Sequence, residues 1–287
     1  MQPFPEFKLP SHLASVDVEE GGRIEMALRL AAAASRVTLR YFRTAEYQVE
    51  RKNDRSPVTL ADKEAEQRVR AMLAEAFPND GILGEEFGTV QGTSSYEWIV
   101  DPIDGTKSFI SGVPLYSTLV GLTRSGEPLV GVIAIPALGE LAMGVRGYGA
   151  WYGQGNTEET VELNPTRVSS VQDLREGLFL VSQVDNFQKR QAERAYEALE
   201  REAYITRSWG DGYGYLLVAT GRAELMVDPI VNPWDVAAVA PVITEAGGRF
   251  SSWAGAYDIR AGHCLASNGH VHPTALAALQ PYASSGD

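Results

Sequence analysis

The sequence predicts a mixed α/β fold of the α+β type. Three observations carry this expectation: a long Ala- and Leu-rich helical stretch near the start, a series of short β-like runs from residue 81 onward, and alternating helix and strand patterns beyond residue 166. Residues 24–42 lack Gly and Pro and space their large apolar side chains in a helical rhythm. Residues 62–77 put Val69, Met72, Leu73 and Phe77 on one face and stop at Pro78, giving a second helix with Asp62 in its first turn. Strand-like runs follow at 98–100, 117–122, 129–135 and 141–145, separated by Gly and Pro.

Residues 153–166 are polar and poor in apolar side chains, which makes them the boundary between an expected N-terminal lobe (1–152) and C-terminal lobe (153–287). Beyond them a strand is expected at 177–182, helices at 189–201 and 212–220, and a strand at 223–227. A helix at 233–246 begins with Pro and Asp and is stopped by Gly247-Gly248. No internal repeat or low-complexity tract is present.

With 287 residues and 44% apolar content the chain buries a substantial core. A formal charge of −12 leaves no basic excess for a phosphate backbone, so nucleic acid is not an expected partner. The single cysteine, Cys264, excludes an intramolecular disulfide, a thiolate zinc cage and a CxxC redox pair. No apolar signal core or bilayer-length run occurs, so no membrane partner is expected and the default compartment is cytoplasmic.

The segment WIVDPIDGTKSF at 98–109 carries the most chemistry, because an apolar strand runs straight into Asp101 and Asp104. Pro102 restricts the turn, so the two carboxylates can converge with the Ile103 carbonyl between them, a set of hard oxygen ligands suited to Mg²⁺. Gly105 and Thr106 would open a helix whose free N–H groups suit a phosphate. Taken alone, the same hexapeptide equally suits a turn with Asp104 as a helix cap. Gly84-Glu85-Glu86 also follows an apolar run, and Asp235 sits in the first turn of the 233–246 helix, where an Asp by itself merely favours the helix dipole. Together these acids supply the ligand count that two hard cations need.

These motifs resemble the inositol monophosphatase superfamily, in its order and approximate spacing, over residues 24–268: Gly84-Glu85-Glu86, Asp101-Pro102-Ile103-Asp104-Gly105-Thr106, and Pro233-Trp234-Asp235-Val236-Ala237-Ala238 continuing to Glu245-Ala246-Gly247-Gly248. The resemblance implies an α-β-α-β-α layered sandwich and a homodimer. It implies two or three Mg²⁺ ions held by Glu85, Asp101, the Ile103 carbonyl, Asp104 and Asp235, with Gly105 and Thr106 as phosphate contacts. Asp62, in Val58-Thr59-Leu60-Ala61-Asp62, would orient the attacking water with Thr106, so that Asp62, Thr106 and Glu85 form the catalytic set. Such a site hydrolyses a small phosphate monoester, because cations that neutralise the ester oxygens and lower the pKa of bound water remove both obstacles to attack. Lys52, in the preceding loop, is either a residue that closes over the metals or a solvated surface lysine.

Residues 206–229 are most similar to the histidinol-phosphatase branch. Asp211 after Gly210, and Asp228 before the Asp235 helix, stand where a polyol would need no charge but a substrate ammonium and imidazole would. Both also suit structural roles, Asp211 as a helix cap and Asp228 as a turn residue. The alternatives are an inositol-1-phosphate phosphatase, a promiscuous sugar or nucleotide phosphatase, and a non-catalytic metal-dependent scaffold. A haloacid-dehalogenase-type nucleophile is disfavoured, because Pro102 and Ile103 put one residue too many between the aspartates for neighbours on one strand face. His263, Cys264 and His270 are read as core or surface residues, since hard-cation chemistry does not want a thiolate.

Overall fold

The computed structural model describes residues 4–44, 49–51, 57–155 and 160–284, and Lys52 lies outside them. Two large sheets form the frame. The first has eight strands in the order Asn164–Pro165, Gly149–Gln154, Glu140–Val145, Glu127–Ile135, Ser117–Arg124, Tyr96–Asp104, Gly81–Gly84 and Gly88–Val90. Neighbours run antiparallel except Gly81–Gly84 beside Tyr96–Asp104, which is parallel. The second has five strands in the order Ile205–Arg207, Leu178–Leu180, Leu225–Asp228, Cys264–Ser267 and Arg249–Ser251.

Successive side chains of a strand point to opposite faces, and that alternation sorts the chain into layers. Trp98, Val100, Val120 and Val132 join Leu30, Ala34 and Val69 in one core, under helices Arg23–Tyr41 and Leu60–Ala76. Ile99, Leu119 and Ile133 face the other way, onto Leu216 and Val239 of helices Gly212–Ala219 and Val239–Glu245. The same helical layer meets Met226 and Ala266 of the smaller sheet. Leu225, Val227 and Leu265 then point outward to Phe187, Leu199 and Leu279 of helices Asp185–Lys189, Glu193–Glu202 and His272–Leu279. The result is the α-β-α-β-α sandwich implied by the motifs. No described helix is long and apolar enough to cross a membrane.

Two expected helices are broken. The one at 189–201 is two, Asp185–Lys189 and Glu193–Glu202, because Gln191 turns into the left-handed region at φ 57 while Ala192 is pulled into the core. Nothing in an Arg-Gln-Ala string announces such a turn. The one at 233–246 divides into Pro233–Val236 and Val239–Glu245. Pro241 supplies the reason, since it has no N–H to bond the carbonyl of Ala237 four residues earlier.

That break lies on a row of glycines. Gly121, Gly131 and Gly144 face one another across three adjacent strands. A Cβ would sit 1.9 Å from the Ala238 carbonyl oxygen if built on Gly131, and 2.6 Å from the Pro241 carbonyl oxygen if built on Gly144. Only glycines let the helical segment sink this close to the sheet, and the depth sets where Asp235 stands. Gly131→Ala should therefore cost about 1–3 kcal/mol from overpacking, measured by urea unfolding. A variant as stable as the wild type would show that the helix can ride up without penalty.

Candidate active site

Asp101 and Asp104 lie at the end of the Tyr96–Asp104 strand. In a regular strand, residues three apart point to opposite faces. Here Asp101 stands opposite Leu119 and Asp104 opposite Ser117, so three steps on one strand match two on its neighbour. This is a bulge. The Thr118 hydroxyl donates to the Pro102 carbonyl at 2.8 Å, and the Ile103 N–H donates to Asp101 Oδ1 at 3.0 Å. The extra residue turns both carboxylates into one space.

Asp235 joins them from the Pro233–Val236 helix, where its Oδ2 accepts the Asn232 N–H at 2.7 Å. One oxygen from each of Asp101, Asp104 and Asp235 lies within 4.8 Å of the other two. Glu85, just past the Gly81–Gly84 strand, sets its carboxyl beside that of Asp101. Burial pushes Asp101 and Asp104 well above the usual carboxylate range; Glu85, Asp104 and Asp235 add to the shift of Asp101, and Asp211 and Asp235 to that of Asp104. Asp235 is pushed up to about 7, chiefly by burial. Asp104 Oδ2 accepts from Ser117 Oγ at 2.8 Å and from the Gly212 N–H at 2.6 Å.

Asp62 is the third residue of the Leu60–Ala76 helix and closes a capping box with Thr59. Its Oδ2 accepts the Thr59 N–H at 2.8 Å and the Thr59 hydroxyl. Its Oδ1 is buried and has no hydrogen-bond partner among the described residues. Burial raises this carboxyl to about 7, against the Thr59 bonds that lower it. Gly105 takes φ 84, and Thr106, opening the helix Thr106–Ile110, donates its hydroxyl to the Ile103 carbonyl at 3.2 Å.

The second half of the chain meets the cluster at Gly105. A Cβ there would lie 2.5 Å from Asp211 Oδ2, so the Asp211 carboxylate stands directly over the start of that helix. Asp211 precedes the Gly212–Ala219 helix but makes no capping bond to it with its side chain. Its backbone, at φ 53 and ψ −154, lies in a region that is essentially reserved for glycine. Burial and the Asp228 charge raise its carboxyl to about 6, while Lys107 and Ser182 pull it down. Gly210 is required by close approach, since a Cβ would fall 2.1 Å from Ser182 Cα.

Asp228 is buried at the end of the Leu225–Asp228 strand. Its oxygens accept from the Ser182 N–H at 3.2 Å, Ser182 Oγ at 3.0 Å and the Tyr215 hydroxyl at 2.6 Å. Ser182 Oγ in turn accepts the Asp211 N–H at 2.9 Å, so Asp228 sits behind Asp211 and supports it. His263 and Cys264 are buried; His263 accepts from the Trp253 N–H, and Cys264 Sγ lies 3.0 Å from the Tyr215 hydroxyl that bonds Asp228. Sequence reasoning missed Ser117, Ser182 and Glu66. Ser117 and Ser182 leave no pattern; Glu66 does, as an acid four residues after Asp62 at a core-facing helical spacing.

The donor set fits a hard divalent cation: carboxylate oxygens, converging and mutually repelling, with Asp101 buried and Asp104 and Asp235 partly so. Such an acidic cluster, with two acids at a strand end and one in a helix's first turn, suits a phosphoric monoester hydrolase. Residues 22–284 match the inositol monophosphatase family. The chain is 40% identical over 244 residues to the histidinol-phosphatase of Chlorobaculum parvum, covering 85% of this chain and 91% of that protein. It is 37% identical over 260 residues to the histidinol-phosphatase of Streptomyces coelicolor, covering 89% and 96%. The solved structure of an inositol monophosphatase from Zymomonas mobilis superposes with a TM-score of 0.75 at 30% identity, covering 91% of this chain and 98% of that one. The chain belongs to the inositol monophosphatase family.

In metal-free protein, at a pH high enough to ionise Asp101 despite its raised pKa, Asp101→Asn removes one repelling charge while the amide oxygen can still accept the Ile103 N–H. Its melting temperature in EDTA should rise by about 2–4 °C for each kcal/mol of repulsion relieved, and the further rise on adding Mg²⁺ should shrink. A variant less stable than the wild type in EDTA would show that Asp101 is not held against repulsion.

Proposed function

We propose that this chain is a Mg²⁺-dependent phosphatase that hydrolyses histidinol phosphate to histidinol. The observation that carries the substrate is Asp211: a carboxylate over the phosphate end of the pocket, on a backbone conformation that costs about 1–3 kcal/mol for a non-glycine residue. With no capping bond to explain the strain, an ammonium partner does. The names of the relatives from Chlorobaculum parvum and Streptomyces coelicolor support the same substrate.

Glu85, Asp101, the Ile103 carbonyl, Asp104 and Asp235 would hold two or three Mg²⁺ ions, which supply positive charge to the ester oxygens and acidify water. The N–H groups of Gly105 and Thr106 donate to the phosphate. Asp62 Oδ1, buried and without a partner among the described residues, accepts the proton of the attacking water, and Thr106 orients that water through its hydroxyl. The new P–O bond forms as the ester P–O bond breaks, and the leaving oxygen departs as the alcohol after protonation. Asp211 accepts from the substrate ammonium, and Asp228 strengthens the negative field behind it. Residues 1–152 would then carry the phosphate chemistry, and residues 153–287 the selection of substrate together with the last metal ligand. A homodimer completes the proposal on the family resemblance alone, and a cytoplasmic location is the default for a chain with one cysteine.

Turnover in ¹⁸O-water should place the label in released phosphate with no phosphorylated Asp101 or Asp104; a trapped phosphoaspartate would overturn direct attack by water. Asp211→Asn should lower kcat/KM for histidinol phosphate about ten- to a hundredfold, as loss of a charge-assisted hydrogen bond of about 1.5–3 kcal/mol requires. Glycerol 2-phosphate, which has no cation, should be hydrolysed nearly as before. Equal losses on both esters, or none, would move inositol phosphates ahead as the natural class.

A further inference from the structure

The Leu60–Ala76 helix carries Asp62, Glu66 and Arg70 at four-residue intervals, on one face. Asp62 belongs to the site, but Glu66 has no part in the chemistry described so far and yet is fully buried. Its Oε2 accepts the Glu86 N–H at 2.8 Å, and its Oε1 accepts the Phe87 N–H at 3.2 Å and Arg70 Nε at 2.8 Å. Arg70 also donates from Nη2 to the Gly88 carbonyl. On the other side of the turn, the Glu85 N–H donates to the Val100 carbonyl at 3.3 Å, immediately before Asp101.

Glu85 is thus bracketed between the sheet and the helix, with its own backbone tied to the strand and the next two amides tied to Glu66. The contact is close enough to dictate the residue before it. A Cβ on Gly84 would lie 2.1 Å from Glu66 Oε1 and 2.3 Å from its Cδ. A buried carboxylate that takes two main-chain N–H groups and a guanidinium locks a turn far more tightly than a neutral side chain would.

We propose that Glu66, braced by Arg70, is a positioning residue that holds the 84–88 turn so that the Glu85 carboxyl is aimed at the metal site before any cation arrives. This rests on Glu85 being a metal ligand, as the proposed function has it. Because Asp62 and Glu66 share one helix face, the same rigid element sets both the proton acceptor for the attacking water and the aim of Glu85. Outer partners of metal ligands commonly change metal affinity 10- to 100-fold when altered.

The test titrates Mn²⁺ into the substrate-free full chain and follows free Mn²⁺ by electron paramagnetic resonance. Glu66→Gln keeps the size but presents an amide NH₂ where an acceptor is needed, and should weaken Mn²⁺ binding about 10- to 100-fold. A merely structural Glu66 would instead lower the melting temperature in EDTA and leave the affinity of the folded protein unchanged. Hydrogen exchange at the Glu86 and Phe87 amides of metal-free wild type should be slow, and Arg70→Lys should weaken Mn²⁺ binding relative to wild type; these two measurements carry the test if Glu66→Gln does not fold. Mn²⁺ affinity of Glu66→Gln within twofold of wild type, or rapid exchange of both amides in metal-free wild type, overturns the proposal. Glu85→Gln, measured in parallel, separates the two ideas: if it binds Mn²⁺ normally, the ligand role of Glu85 fails and the positioning role with it. If it binds weakly while Glu66→Gln binds normally, the positioning role alone is wrong.

Discussion

The mutual repulsion of Asp101, Asp104 and Asp235, whose oxygens lie within 4.8 Å of one another, is the constraint around which the rest of this structure is organised. Burial makes that repulsion costly, because little water remains to screen it. The protein holds the charges largely with neutral dipoles. A main-chain N–H serves each carboxylate: Ile103 for Asp101, Gly212 for Asp104, Asn232 for Asp235, and Thr59 for the neighbouring Asp62. Such donors fix direction without cancelling charge, so the negative field remains available to a cation. Lysine or arginine at the same positions would stabilise the metal-free fold and cancel the field that draws a cation.

Those donors come from distant parts of the chain, and the packing of the sandwich is what assembles them. The row of Gly121, Gly131 and Gly144 lowers the segment 237–242 into the sheet and so sets the height of Asp235. The bulge at Pro102 and Ile103 provides the extra residue that brings Asp101 and Asp104 to one side. The same spacing that argues against two neighbouring acids on one regular strand face is therefore what the metal site needs. At Asp211 the backbone bears strain that glycine would relieve, a frequent sign that a side chain is kept for function rather than stability.

Much of this was legible from residue types and their order. Helical periodicity marked residues 24–42 and 62–77, apolar runs marked the strands, and the acids at 85, 101, 104 and 235 stood at predicted strand ends or a helix start. Local physics suffices there, because the period of a helix or strand and the chemistry of Pro and Gly act within a few residues. The break at Gln191 was hidden, since it depends on what Ala192 must bury, whereas the interruption at Ala237-Ala238 was already marked by Pro241 four residues ahead.

What the sequence alone determined is the mixed α/β character and a set of acidic candidate ligands at strand ends and a helix start, through side-chain chemistry and short-range patterning. Only the tertiary structure decided where each acid stands and which donors reach it. Asp211 and Asp228 look alike in the chain, yet one carboxylate stands over Gly105 and the other is spent on Ser182 and Tyr215. Asp104 receives its N–H from Gly212, 108 residues away, and the two amides after Glu85 are held by Glu66, 20 and 21 residues before them. A hydrogen bond is set by distance and direction in space, and no spacing in a linear string encodes which N–H will reach which carboxylate once the layers pack.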